Sequence, residues 1–148
     1  MLVLCSPLQR ARETCRLAGY ADVAVFTDDL LEWDYGAYEG LTTSKIRTEV
    51  PGWSIWTGRV PGGETMEQVG FRAERVIEHA LSVQGKVALF AHGHILRVLT
   101  ACWLGLPPDT GRLFALATAS LSVLGYERET RVIKFWNQDC QALRQENL

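Results

Sequence analysis

The sequence predicts an α/β fold, a three-layer sandwich with a mostly parallel sheet flanked by helices. Short apolar runs alternate with amphipathic helical stretches, and several of the apolar runs lead directly into helices. The length of 148 residues fits one domain. Crossovers between parallel strands are right-handed. In open sheets of this kind ligands bind at the carboxyl ends of the strands, and we expect the same here.

The first part of the chain supplies two strands and one helix. Residues 2–5 form an apolar run, after which Ser6 suits the N-cap of a helix and Pro7 its first position. Residues 23–26 are β-branched and aromatic and predict a second strand. Residues 30–41, rich in aromatic side chains, carboxylates and glycine, predict a long loop.

The second part begins with a helix whose start is marked by Thr65 and Gln68, which have the spacing of a capping box. A buried strand at residues 86–90 then leads through a glycine into a helix over residues 95–104. Three further strands are predicted at residues 113–117, 121–126 and 131–136. The last two of these predict a hairpin, which can add an antiparallel edge to the sheet.

Composition excludes several classes of partner. The net charge of -2 gives no electrostatic footprint for nucleic acid or an anionic membrane. No apolar run approaches the roughly 20 residues that cross a bilayer, and the apolar start lacks a basic leader. The four cysteines form no C-x-x-C pair, which predicts reduced thiols and a cytoplasmic location.

The polar tail after Asp139 is expected to be loose.

The first candidate site lies between the strand at 86–90 and the next helix. His92 and Gly93 follow that strand directly, with His94 next. The N–H groups at the start of a helix favour an anion such as phosphate. A packed core histidine is the alternative for His92. A metal pair with His94 is a weaker alternative, because no third ligand, His79 included, has a familiar spacing.

Arg10 and Glu32 are the other candidates. Arg10 falls in the first turn of a helix, where a cation opposes the dipole, so an anionic ligand explains it better than helix stability does. A solvated surface arginine is the alternative. Glu32 shares its loop with Trp33 and Tyr35, and apolar rings can keep a carboxyl protonated for general-acid work. A solvated loop carboxylate is the alternative, and spacing does not decide which carboxylate of the loop acts.

Together these pieces resemble the histidine phosphatase, or phosphoglycerate mutase-like, superfamily. Residues 6–14, SPLQRARET, are similar to its S-P-x-x-R-A-x-x-T element, and residues 30–40 to its L-x-E-x-x-x-G-x-x-E-G segment. Residues 61–65, PGGET, resemble a lid motif of its phosphatases, and residues 91–93, AHG, its second catalytic histidine. Residues 32–36, 38–40 and 91–94, with the tryptophan pair within residues 53–56 on a predicted short helix, resemble most a smaller branch with acid phosphatases and fungal sedoheptulose bisphosphatases.

The resemblance implies a role for each candidate. Glu32 is the proton donor and His92 a catalytic residue, while Arg10, Gly93 and His94 bind the phosphate. It implies no cofactor and no metal. The family's nucleophile, a histidine in an R-H-G motif, does not occur in the chain. We therefore expect a single histidine phosphatase-like domain over 1–148 that is N-terminally incomplete, its first strand and helix missing. Because that strand is central, apolar surface and unpaired backbone are expected to be exposed.

The implied activity is that of a phosphomonoesterase. It hydrolyses small phosphorylated metabolites, sugar phosphates among them, through a phosphohistidine whose nucleophile is absent from this chain. A non-catalytic phosphate-binding or interaction protein derived from the family is one alternative, and a phosphoglycerate mutase is another. The expected partner is a small phosphorylated metabolite, with neither nucleic acid nor membrane, and a homodimer is left open.

Overall fold

A computed structural model describes residues 1–139; Cys140 and the polar tail after Asp139 lie outside the described residues. The strands are β1 (Leu2–Cys5), β2 (Ala24–Phe26), β3 (Val87–Phe90), β4 (Ser120–Glu127) and β5 (Thr130–Asp139). The helices are α1 (Gln9–Leu17), α2 (Thr43–Glu49), α3 (Met66–Leu81) and α4 (Gly93–Trp103). Among the described residues, no helix has the length and hydropathy needed to cross a membrane.

A parallel sheet in the order β2-β1-β3 lies at the centre of three layers. Side chains of β1 alternate between its two faces, as the pleat of a strand requires. Val3 and Cys5 pack in one cluster with α1, through Ala11. Leu4 packs in the second cluster, whose other buried members come largely from α3 and α4. The predicted α/β architecture is therefore confirmed, with the larger core on the side of α3 and α4.

The start of α1 differs from the prediction. The helix begins at Gln9, and its N-cap is Leu8 rather than Ser6. The Ser6 hydroxyl accepts the Leu8 N–H at 3.3 Å and also lies 2.8 Å from Nε2 of His92. Since the same oxygen serves a turn and a histidine, it is not placed to cap the helix.

The two later helices follow the predicted pattern closely. Thr65 caps α3, and its hydroxyl and the Gln68 side chain complete both hydrogen bonds of the capping box. Helix α4 begins at Gly93, two residues before the predicted start, with His92 at the N-cap. The glycine thus forms the first turn of α4 instead of a linker, which brings the start of the helix to the end of β3.

Strand β3 has one open edge. It pairs with β1 on one side, and no strand within residues 1–139 pairs with the other. The N–H groups of Leu2 and Ser6 donate to two carbonyls of the neighbouring segment, one just before β3 and one at its end. Because successive residues of a strand direct their N–H and C=O groups to opposite sides, those of Val87 and Leu89 point toward the open side. Unpaired backbone is thus found where a further strand would continue the sheet.

Strands β4 and β5 form the predicted hairpin, but as a separate two-stranded sheet. The prediction that they add an antiparallel edge to the parallel sheet is wrong for the described residues. The hairpin instead rests on α4, where the Trp103 ring meets Tyr126 and its Nε1 donates to the Val132 carbonyl. Its exposed apolar side chains include Leu121 and Phe135.

The third strand of this region, predicted over 113–117, is not formed. A 3₁₀ helix covers Pro108–Leu113, and the next residues are irregular. Side chains satisfy their backbone: Trp136 donates to the Ala115 carbonyl and Asn137 accepts the Ala117 N–H. Residues 53–56 likewise do not form the predicted short helix, since residues 53–54 are irregular and a turn begins at residue 55. Helix α2, just before them, had no prediction.

Candidate phosphate site at the carboxyl ends of two strands

The candidate residues meet where β1 and β3 end side by side. Ser6 follows β1, and its N–H donates to the Phe90 carbonyl at the end of β3. His92 follows β3 two residues later and is buried, with 6% of its surface exposed. Ser6 and His92 therefore lie at the carboxyl edge of the sheet, which is where parallel sheets generally bind their ligands.

His92 is held by hydrogen bonds on both sides of its ring. Nε of Arg10 donates to Nδ1 at 3.1 Å, and Nε2 lies 2.8 Å from the Ser6 hydroxyl. Because a guanidinium only donates, Nδ1 is the acceptor and the ring proton of the neutral form is on Nε2. Burial and the Arg10 charge lower the pKa of His92. His92 is therefore a neutral imidazole that orients Arg10.

Arg10 presents the rest of its guanidinium outward. The residue is exposed, and within residues 1–139 neither of its Nη atoms has a hydrogen-bond partner. A guanidinium with two unoccupied nitrogens matches the oxygens of a phosphate. The position in the first turn of α1, unfavourable for the helix dipole, is thus compatible with a ligand-binding cation.

Glu32 occupies the start of α4. Its carboxylate accepts the N–H groups of His94 at 3.2 Å and Ile95 at 3.0 Å, and also that of Trp33 at 3.0 Å. These are the N–H groups that the N-cap residue His92 leaves without a side-chain acceptor. The anion found at this helix N-terminus is thus a carboxylate of the protein, where the sequence predicted a bound phosphate. Gly93 is exposed beside it.

His94, and not Glu32, is the residue surrounded by aromatic rings. The rings of Trp33, Tyr35 and Trp56 lie 5.4–6.2 Å from the His94 ring. The Tyr35 hydroxyl is 2.6 Å from Nδ1 of His94, and the Glu32 carboxylate is 4.0 Å from the same nitrogen. Burial lowers the pKa of His94 although Glu32 opposes this shift. The same burial, with the Glu32 charge, raises the pKa of Tyr35.

A cavity of about 270 Å³ opens next to this cluster. Most of its lining side chains are apolar or aromatic, and the few polar ones include Glu39, Thr43 and His94. The lining residues are Tyr35, Tyr38, Glu39, Gly40, Leu41, Thr43, Ile46, Trp53, Ile55, Val60 and His94. The loop predicted over residues 30–41 and the unpredicted helix α2 therefore form one wall together.

The sequence did not predict one pair of residues at the site, although Glu64 belongs to the motif over residues 61–65. Arg72 on α3 and Glu64 before it form a largely buried ion pair against the loop that carries Glu32. A capping box at Thr65 indicated where α3 begins, but no spacing in the sequence indicated which face of α3 meets that loop. Within residues 1–139 no group of three or more His, Cys, Asp or Glu side chains is arranged to hold a metal ion.

Comparison with known proteins places this geometry in a family. A family model described as the histidine phosphatase superfamily (branch 1) matches residues 1–139. An acid phosphatase of Mycobacterium tuberculosis is 42% identical over 132 residues, covering 88% of this chain. A sedoheptulose 1,7-bisphosphatase of Saccharomyces cerevisiae is 35% identical over 130 residues, covering 70% of this chain. A solved Mycobacterium tuberculosis structure superposes with a TM-score of 0.88 at 38% identity, covering 93% of this chain and 72% of that one.

The chain spans less than two thirds of these curated relatives, 64% of the acid phosphatase and 48% of the sedoheptulose bisphosphatase. The match nevertheless extends across all the described residues and includes both strand ends that form the site. The chain belongs to the histidine phosphatase superfamily, branch 1.

Proposed function

We propose that this chain carries the phosphate-binding and proton-transfer groups of a phosphomonoesterase that acts on small phosphorylated metabolites. One observation carries the proposal: the unpartnered Nη atoms of Arg10 lie at the same edge of the sheet as the carboxylate of Glu32, joined through His92 and α4. A cation for phosphate oxygens and a group able to move a proton are what phosphomonoester hydrolysis needs.

Arg10 binds the phosphoryl oxygens, and His92 fixes the direction of its guanidinium. Since His92 is neutral, Arg10 supplies the charge and His92 supplies orientation. Gly93, the first residue of α4, and the His94 side chain offer further donors, while Glu32 keeps the N–H groups of His94 and Ile95. Charge developing on the equatorial oxygens is thereby stabilised.

Glu32 moves the proton in each of two steps. In the first, a histidine nitrogen donates its electron pair to phosphorus, the P–O bond to the organic group breaks, and protonated Glu32 gives its proton to the leaving oxygen. In the second, Glu32 takes a proton from water as the water oxygen attacks phosphorus and the P–N bond breaks. Phosphate and an alcohol are the products, and the proton that Glu32 gives up in the first step returns to it in the second.

The nucleophilic histidine of the first step is outside these 148 residues, because the chain has no R-H-G motif. Both ring nitrogens of His92 are engaged, and Nδ1 of His94 faces the Tyr35 hydroxyl. The open edge of β3 leads to His92. A further strand parallel to β3 on that edge would therefore end beside the same site.

The cavity beside His94 is the place for the organic part of the substrate. Its walls are aromatic and apolar, and neither Lys nor Arg is among its lining residues. The second phosphate of a bisphosphate would find no cation there, so the cavity favours monophosphates, with sugar monophosphates one class that aromatic rings accommodate. The free thiols of Cys5, Cys15 and Cys102 fit a reducing compartment such as the cytoplasm.

Trapping the covalent intermediate tests this proposal. The protein from its native source is mixed with p-nitrophenyl phosphate, quenched in alkali, and the phosphorylated residue is located by mass spectrometry. We expect an acid-labile phosphohistidine at a position other than His79, His92 or His94. An adduct on His92 or His94 would overturn the assignment of the nucleophile.

A non-catalytic phosphate-binding protein is the second candidate, favoured by the absence of an R-H-G motif from the chain. Inorganic phosphate that binds, measured by calorimetry, without any turnover of p-nitrophenyl phosphate or covalent adduct would establish it. Turnover with an adduct would exclude it.

A further inference from the structure

The Arg72 side chain makes four hydrogen bonds beside the site, two to Glu64 and two to backbone carbonyls, and it is only 11% exposed. Nε and Nη2 donate to the two carboxylate oxygens of Glu64 at 2.7 and 2.8 Å. Nη1 donates to the carbonyls of Asp29 and Leu31, each at 2.9 Å. Two of the four bonds thus go to the backbone just before Glu32.

Glu64 fixes the backbone just after Glu32. One carboxylate oxygen, already bonded to Arg72, also accepts the Asp34 N–H at 2.9 Å. The Glu64 N–H donates to the Asp34 carbonyl at 3.0 Å, and the Glu64 carbonyl accepts Nε1 of Trp33 at 3.0 Å. The pair of Arg72 and Glu64 therefore holds the chain on both sides of Glu32.

Residues 34–37, just after Glu32, and residues 61–64 are in backbone contact, with no room for a side chain between them. A Cβ on Gly63 would overlap the Asp34 carbonyl, and one on Gly36 would overlap backbone atoms of Pro61 and Gly63. The Ala37 N–H donates to the Pro61 carbonyl at 2.8 Å. Such a contact leaves the loop little freedom to shift.

No hydrogen bond within residues 1–139 joins Arg72 to Glu32 itself. The Glu32 carboxylate points the other way, to the N–H groups of His94 and Ile95. We propose that Arg72 is a positioning residue: with Glu64 it fixes the backbone around Glu32 and so keeps the Glu32 carboxylate at the start of α4. The importance of this for catalysis rests on the function proposed above.

Amide hydrogen exchange in the ligand-free protein tests the proposal. The variant R72K keeps the charge but loses the planar fork that reaches Glu64 and two carbonyls together. We expect the His94 and Ile95 amides to exchange about tenfold faster in R72K, while the Leu4 amide in the core of the sheet is unchanged. The matched control is R75K, on the same helix, whose partner Asp29 it meets at the surface; it leaves all three amides unchanged.

A purely structural role for Arg72 predicts a different pattern. If R72K only lowered global stability, the Leu4 amide would accelerate by the same factor as His94 and Ile95, and the proposal would be overturned. Unchanged protection at all three amides would overturn it as well.

Two further variants keep the test decisive if R72K unfolds. E64Q retains an acceptor for Asp34 and loses the ion pair, so it is expected to accelerate the same two amides by a smaller factor. E32Q removes the charged acceptor, and adding R72K to E32Q is expected to cause no further acceleration, because both changes break one arrangement. Additive acceleration in the double variant would contradict the proposal.

The outcome is independent of the proposed function. Exchange is measured without phosphate and without turnover, so a protein with no phosphatase activity would overturn the function and leave the positioning by Arg72 in place. Normal protection of His94 and Ile95 in R72K would overturn the positioning and leave phosphate binding by Arg10 in place.

Discussion

Two arginines border the candidate site, and their surroundings are opposite. Arg72 on α3 is largely buried, and its hydrogen bonds to Glu64 and to two carbonyls use all three guanidinium nitrogens. Arg10 on α1 is exposed, and its side chain makes one hydrogen bond within residues 1–139, from Nε to His92. The first is saturated by the protein, and the second has two nitrogens left for a ligand.

The number of guanidinium nitrogens that the protein occupies distinguishes a structural arginine from a ligand-binding one. A planar fork is rigid in both cases, so the number of unoccupied donors decides what it can do. The clamp side of the site, formed by Arg72, Glu64 and the loop around Glu32, is expected to govern stability. The ligand side, formed by Arg10 and His92, is expected to govern phosphate affinity.

The largest effect is expected on the clamp side, from Gly36→Ala. The new methyl group would overlap the backbone of Pro61 and Gly63, and φ of +48° is unfavourable for alanine. We expect the free energy of unfolding to fall by about 3 kcal/mol or more, measured by urea denaturation. The control is Gly62→Ala, where φ is +70° but no atom lies within 4 Å, with an expected loss of about 1 kcal/mol. Equal losses of unfolding free energy in the two variants would mean that the backbone around Gly36 moves away from Pro61 and Gly63 without destabilising the fold.

On the ligand side, Arg10→Ala is expected to weaken binding of inorganic phosphate by about 2 kcal/mol, roughly 30-fold in Kd. The free energy of unfolding should fall by only about 1 kcal/mol, because one hydrogen bond, from Nε to the buried His92 ring, is lost. Isothermal titration calorimetry measures the first quantity and urea denaturation the second. The control is Arg12→Ala on the same helix, whose guanidinium lies over the Phe26 ring. A phosphate affinity unaffected by Arg10→Ala would remove the contrast between the two arginines.

A smaller effect concerns the pH dependence of stability through His92. Burial and Arg10 lower its pKa in the folded protein, so between about pH 6.5 and that lower pKa the unfolded chain binds a proton that the folded one does not. Stability should therefore fall as pH falls from about 7.5 to 5. In His92→Gln this fall should be reduced, as seen by urea denaturation across that range. His94, whose pKa is lowered as well, supplies the remainder. An identical pH profile in the variant would show that His92 is not held neutral by its site.

The smallest effect is expected for Arg75→Ala. Arg75 and Asp29 form an ion pair whose side chains are 55% and 28% exposed, and solvent screens such pairs. We expect a loss of about 0.5 kcal/mol or less in unfolding free energy, with phosphate binding unchanged. A loss as large as that of Gly36→Ala would mean that the surface ion pair of Arg75 and Asp29 stabilises the fold as much as the clamp side does.

The order of strands and helices could be predicted because each carries a local signal. The capping box at Thr65 fixed the start of α3, and the apolar run before His92 identified β3. The strand predicted over 113–117 is wrong because no neighbouring strand pairs with these apolar residues within residues 1–139. Side chains from β5 form hydrogen bonds with their backbone instead. Strand pairing is a nonlocal property that an isolated segment does not reveal.

The site shows the same limit. Arg10, Glu32 and His92 were predicted from strand ends and motif order, and the fold brings them to one edge. Their partners could not be predicted, because the contact between Glu32 and the start of α4 joins residues 62 and 63 positions apart. The aromatic rings near Glu32 in sequence lie around His94 in space for the same reason.

The unpaired edge of β3 has a consequence for handling the 148-residue chain by itself. An exposed strand edge is a template on which other chains can extend the sheet, and here the backbone groups of Val87 and Leu89 form that edge while their side chains pack against the core. Lys86, exposed just before the strand, is a charged residue of the type that discourages such pairing. Turbidity of concentrated solutions is therefore expected to depend on ionic strength, since salt screens the repulsion between lysines on approaching molecules.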